Sequence, residues 1–137
     1  MASLVEIRDA LKVRLQTIDA DLQVYDVVPG QINVPCAIIG VIEGVVYDAA
    51  MARGADVWFI PIRIHVQLGD YKQAQDDLDA YLDSKAGKSV KLAIEGDQSL
   101  GGIASTLQVK EVRDYGEYTY GNTTYLGAEW LVWVMTQ

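Results

Sequence analysis

Few residues in this chain are equipped for chemistry, and their spacing narrows what they can do. There is one histidine, His65, and one cysteine, Cys36, in 137 residues. An acid–base histidine needs a nucleophile or a second titrating group beside it. His65 instead sits in an alternating stretch with Arg63 and Gln67, and the sequence contains no G-x-S-x-G elbow. A surface or interface histidine is expected. Cys36 has no partner for an internal disulfide and no adjacent cation to lower its pKa, so it reads as an inert buried thiol. Zinc ribbons, disulfide scaffolds and Cys/His hydrolases are disfavoured on the same count.

Three further patterns resemble sites and fail on geometry. Gly87-Lys88-Ser89 ends like a phosphate-binding loop, but the glycine required five residues before Gly87 is Leu82. The run reads as a loop followed by a helix cap. Asp76, Asp77, Asp79 and Asp83 fall at helical spacing, whereas a calcium loop needs alternating acidic positions and a glycine bend. They read as a solvated helix face that meets a basic partner. Trp130, Trp133, Tyr118, Tyr120 and Tyr125 would need a basic groove to stack on bases, so core and cross-strand packing is expected. Asn122-Thr123-Thr124 has the form of a glycosylation acceptor but reads as a turn. No enzyme activity, cofactor or metal is expected.

Charge and composition set the broader limits. The formal net charge is −8, with 11 Lys and Arg against 19 Asp and Glu. That balance argues against gripping nucleic acid through its phosphates and against docking on an anionic membrane. Hydrophobic residues at 50% and charged residues at 22% suit a globular chain with one core. The first 18 residues mix charges into their apolar positions, unlike a signal peptide, and the apolar stretch from Val34 to Val46 is broken by Glu43. A reducing cytosol is the expected setting.

The elements follow from periodicity. Ser3 and Glu6 have the spacing of a capping box, and Leu4, Ile7, Leu11, Leu15, Ile18 and Leu22 line one stripe of an amphipathic helix. Val24 to Val28 is β-like. Ala37 to Tyr47 is a strand segment in which Gly40 and Gly44 mark a bulge or a close backbone approach. Residues 48–56 read as the loop of a long hairpin. Trp58, Ile60, Ile62, Ile64, Val66 and Leu68 then alternate with Phe59, Pro61, Arg63, His65 and Gln67, as in a half-buried antiparallel strand. Pro61 cannot donate to a ladder, so that strand is an edge there, or bulged. Asp70 caps a second helix whose buried face is Tyr71, Ala74, Leu78, Tyr81 and Leu82. Ser89 and Gly96 bound a short third helix, and Ser99 to Gly102 is a turn. Leu107 to Tyr115 is a strand; Gly121-Asn122 turns a hairpin within Tyr118 to Thr136. Leu126 to Met135, apolar on both faces, reads as a central strand covered on both sides. The expected fold is a single α+β domain over residues 1–137, a mainly antiparallel sheet with two main helices and one short helix packed on it.

From Asp77 onward the sequence resembles the tail terminator, or tail completion, proteins of long-tailed bacteriophages. The marks are Leu78 and Tyr81-Leu82, Gly87, Ser89-Val90, Ala93-Ile94-Glu95, Leu100-Gly101-Gly102, Tyr115-Gly116, Tyr118 and Tyr125-Leu126-Gly127-Ala128-Glu129. The resemblance implies a virion protein that forms a homo-oligomeric ring, commonly a hexamer, on the head-proximal end of the tail tube. Such a ring stops tube polymerisation, meets the head or neck connector, and leaves a lumen for DNA to pass without specific binding. No membrane is involved, and assembly takes place in the host cytoplasm. On that implication the candidate interface residues are Met51, Arg53 and Asp56 in the loop, Arg63 and His65 on the alternating strand, and Asp76, Asp79 and Asp83 on the acidic helix row. Arg53 of one copy is expected to meet Asp79 of the next. The alternatives are another head–tail joining or minor tail protein and, in a different class, a small ligand-binding or enzymatic α+β domain.

Overall fold

The computed structural model describes residues 3–18, 22–26, 30–47, 55–83 and 88–136. In chain order the elements are α1 (Leu4–Gln16), β1 (Gln23–Tyr25), β2 (Cys36–Ile39), β3 (Gly44–Val46), β4 (Asp56–Gln67), α2 (Tyr71–Leu82), α3 (Val90–Glu95), β5 (Thr106–Tyr120) and β6 (Thr123–Thr136). The strands form one sheet in the order β1-β2-β4-β6-β5, with β3 also paired to β4. Only β1 and β2 run parallel; every other pair is antiparallel. The α+β expectation, with two main helices and a short third, describes the molecule.

Period-two alternation decides which face is buried. Ile60, Ile62, Ile64 and Val66 of β4 and Leu126, Ala128, Trp130, Val132 and Val134 of β6 join a single core. Ile7, Leu11 and Leu15 of α1, Ala74, Leu78 and Tyr81 of α2, and Val90 and Ile94 of α3 close it from the helical side. All three helices therefore lie on one face of the sheet. Each is capped as its sequence requires: Glu6 N–H donates to Ser3 Oγ at 3.2 Å, Lys72 N–H to Asp70 Oδ1 at 3.2 Å, and Leu92 N–H to Ser89 Oγ at 3.1 Å. Arg14 ties α1 to α3 by donating from Nε to the Ala93 carbonyl at 2.8 Å.

Pro61 explains why the Val- and Ile-rich segment splits into β2 and β3. The Pro61 carbonyl accepts from Gly40 N–H at 2.8 Å, so the position of its missing N–H faces the same neighbour. Opposite it the segment bulges between Gly40 and Glu43, the Glu43 N–H donates to the Phe59 carbonyl at 2.9 Å, and regular pairing resumes at Gly44 opposite Phe59. A Cβ on Gly40 would lie 3.1 Å from Pro61 Cγ, so the glycine serves close approach. The bulge lies in the facing segment at Gly40, as the glycine there suggests, and not in the proline strand itself, which keeps an unbroken register with β6. The edge expectation fails, because β4 lies between β6 on one side and β2 and β3 on the other, and Pro61 is buried.

Two boundaries and one burial differ from the periodic reading. Helix α1 ends at Gln16 although its apolar stripe continues to Leu22. The Thr17 hydroxyl takes the Arg14 carbonyl at 2.6 Å, the last turn tightens, and Leu22 reaches the core from outside the helix. Tyr71 is 55% exposed, with its hydroxyl donating to Glu117 rather than packing inward. The strand from Leu107 does not stop at Tyr115. Register shifts at Val109/Glu111 and Arg113/Gly116 carry β5 on to Tyr120, and the two-residue turn at Gly121-Asn122 leads into β6 as expected. Among the described residues no helix is long and apolar enough to cross a membrane.

This division predicts a sharp contrast in stability. Trp130→Ala, at a site 1% exposed, should destabilise the fold by about 3–5 kcal/mol. Val13→Ala, on the outer side of α1 at 60% exposure, should change it by less than about 0.5 kcal/mol. Urea unfolding followed by circular dichroism checks both; equal effects would contradict the assignment of the core.

Candidate functional site

The face of the sheet away from the helices carries the chain's polar chemistry. Alternation on β4 places Phe59, Pro61, Arg63 and His65 there. Register then brings Arg63 opposite Glu129 of β6, and Glu129 opposite Arg113 of β5. Arg63 Nε lies 3.2 Å from Glu129 Oε1, and Arg113 Nε lies 2.7 Å from Glu129 Oε2. Arg113 also pairs with Glu43, which lies in the bulge opposite Pro61. The result is a chain of alternating charge across the sheet, from Arg63 through Glu129 and Arg113 to Glu43. Its centre is dry: the Glu129 side chain is 5% exposed, against 50% for Arg63 and 34% for Arg113. Hydrogen bonds to Glu43 first, then to Glu129, raise the Arg113 pKa, which keeps the guanidinium charged. A buried carboxylate with both oxygens on guanidinium donors meets the condition that makes such burial tolerable.

Beside this network lies a groove of about 490 Å³. Pro61, Arg63, His65 and Glu129 line it together with Ile38, Gly40, Val41 and Glu43 on one side and Tyr118 to Tyr120 on the other. His65 is 2% exposed, packed edge-on to Tyr118 with ring centroids 5.0 Å apart, and the Arg63 guanidinium lies 5.6 Å from the same Tyr118 ring. Burial, and then the nearby Arg63 charge, lowers the His65 pKa to about 4, so the imidazole is neutral at pH 7. Its Nδ1 has no hydrogen-bond partner among the described residues. The expected surface or interface histidine is thus buried within its own chain. Cys36, paired opposite His65, is fully buried, and desolvation pushes its pKa up to about 11, in keeping with an inert thiol. Gly127 makes this packing possible, because a Cβ there would lie 2.7 Å from both His65 Nδ1 and the Ile64 carbonyl.

Further along the same face the chemistry turns apolar. Phe59 packs edge-on against Trp133 at 5.2 Å, and Trp133 remains 37% exposed. Lys110, the extra residue of the first β5 bulge, holds its Nζ 4.4 Å from the Trp133 ring centroid. Val46, Val57 and Met135 form the next row across three strands. β6 is central in the sheet, as expected, but this end of its outer face is open.

The expected interface residues fall into separate places. Arg63 and His65 come together on the open face. Asp76, Asp79 and Asp83 lie on α2 or at its end, in the helical layer, so the two groups do not share a site. Asp76 pairs with Lys72 at 3.4 Å, and Asp79 accepts from the Tyr115 hydroxyl at 3.0 Å. Burial first, and then that bond, push the Tyr115 pKa up to about 12. Asp56 opens β4 opposite Thr136 instead of ending a loop. Met51 and Arg53 lie outside the described residues, as does any contact of Arg53 with Asp79. Periodicity missed Glu129, Arg113, Glu43 and Lys110. Glu129 did leave a signal, as the one charge within the apolar run from Tyr125 to Met135. The arrangement can hold charge and shape; among the described residues no three His, Cys, Asp or Glu side chains converge to hold a metal ion.

Two measurements follow. Glu129→Gln removes the charge between two arginines and should destabilise the fold by about 2–4 kcal/mol, read from urea midpoints. His65 protonates near pH 6.5 when unfolded and near 4 when folded, so the unfolded state takes up the proton first as pH falls. Its contribution is complete above about pH 6.5 and is lost between there and about pH 4. A His65→Gln variant should therefore show a shallower fall in stability over that window than the parent protein, and parallel curves would contradict the buried neutral imidazole.

No model of a known protein family matches the chain, and no curated protein matches its sequence.

Proposed function

We propose that the chain is a structural subunit of a long-tailed bacteriophage virion, closing as a ring on the head-proximal end of the tail tube. There it stops tube growth and joins the tail to the head or neck connector, with a lumen through which DNA passes. The observation that carries this reading is the uneven cover of the sheet. Helices close one face, while the other ends in a patch across three strands with Trp133 37% exposed. An exposed aromatic patch beside a rigid charged network suits a protein–protein contact. Its counterpart, the back of the helical layer, is a different surface, and two unlike faces on one subunit are what a head-to-tail ring requires. The resemblance of the C-terminal half supplies the tail. A net charge of −8 suits a lumen that repels phosphate, so that duplex slides rather than sticks.

A small ligand-binding domain is the second reading, favoured by the groove of about 490 Å³ and the unpartnered His65 Nδ1 beside it. The two part under electron microscopy. Added to tail tubes that lack a terminator, the protein should cap one end of each tube with an annulus and halt further growth. Tubes that stay uncapped and keep lengthening would overturn the structural reading.

A further inference from the structure

We infer that the open face of the sheet is covered, in the assembled protein, by the outer ridge of helix α1 from a second copy. The inference deepens the ring reading and rests on it. It comes from two exposed surfaces of one subunit that lack a partner and match each other.

The first surface is the patch of Phe59 and Trp133 with the Val46, Val57 and Met135 row beside it. A depression of about 340 Å³ borders it at Val57, Gln108, Trp133 and Met135. Three strands at their usual spacing make such a row about 10 Å wide. Among the described residues its one cation is Lys110, exposed over Trp133 and without a carboxylate partner there.

The second surface is the side of α1 opposite Ile7, Leu11 and Leu15. Val5, Asp9 and Val13 succeed one another at four-residue steps along it. Val5 is 62% exposed and Val13 60%, unusual positions for two β-branched apolar side chains on a helix back. Asp9 between them is exposed and has no ionic partner among the described residues. Eight residues of helix span about 12 Å, close to the width of the sheet patch.

Laid on the patch, the ridge sets valines against Phe59 and Trp133 and brings the unpaired Asp9 carboxylate to the unpaired Lys110 ammonium. A helix on that face also gives the sheet the second covering layer that the described residues do not supply. The two surfaces lie on opposite sides of the subunit, so the contact is heterologous and propagates from copy to copy until it closes.

Charge reversal tests the pairing directly. Asp9→Lys and Lys110→Asp are both made at exposed positions, and each variant's thermal melt should match the parent's. Each alone should raise the dissociation constant for self-association, measured by sedimentation, about tenfold or more, and the double variant should restore it. Val13→Asp should weaken association without rescue by Lys110→Asp. Single variants that associate like the parent, or a double variant that fails to recover, would overturn the contact and leave the ring reading standing. A parent protein that stays monomeric at millimolar concentration would likewise overturn the contact; the ring reading falls only if tail tubes also remain uncapped.

Discussion

The pairing of β4 with β6 is the constraint on which the other placements depend. Every residue of β4 has a partner in β6, from Asp56 opposite Thr136 to Gln67 opposite Tyr125. Because side chains alternate on both strands, a slip of one residue would turn Ile60, Ile62 and Ile64 outward and bring Arg63 and His65 into the core. The register that buries the isoleucines under the helices is therefore the same register that aligns Arg63 with Glu129. Adding β5 to the other side of β6 sets Arg113 on the second oxygen of the carboxylate. Hydrophobic burial on one face thus fixes the electrostatics of the other.

That coupling gives the two faces different tasks. The helical face is closed by side chains from all three helices, and little more than an intact core is asked of it. The open face is organised by charge at one end and by exposed aromatic surface at the other, with rigid strands beneath both. Pro61 contributes by interrupting the pairing of β4 with β2 and β3, and the bulge that results carries Glu43, the partner of Arg113. The bulge at Lys110 similarly turns an extra residue over Trp133, while Glu95 takes up the Val109 N–H at 2.9 Å. Irregularities in the ladder are thus the places where the open face acquires its chemistry.

Much of the fold was legible because it is written in local patterns. The stripe of α1, the alternation of β4, the caps Ser3, Asp70 and Ser89, and the Gly121-Asn122 turn each require only a few neighbouring residues. Extents were harder, since they depend on tertiary competition. The α1 stripe runs on to Leu22, but the Thr17 hydroxyl ends the helix, and Leu22 fills the same core from a different backbone. Tyr71 has the right spacing for burial and the wrong neighbour, since Glu117 offers its hydroxyl a partner at the surface. The site was the least legible part. Arg63, Glu129, Arg113 and Glu43 come from four separate segments, and only strand order brings them together. His65 looked exposed because its cover, Tyr118, lies across a hairpin 53 positions later in the chain. The acidic residues of α2 were visible as a row, but sequence spacing could not reveal that β5 curls back to give Asp79 a tyrosine partner.

The central claim is that the open sheet face exists to meet another copy of this chain. Oxidative footprinting of Trp133, compared between dilute and assembled protein, probes that face without altering a residue. The account predicts that modification of Trp133 falls several-fold on assembly while the buried Trp130 remains unreactive throughout. Undiminished modification of Trp133 in a closed assembly would contradict it.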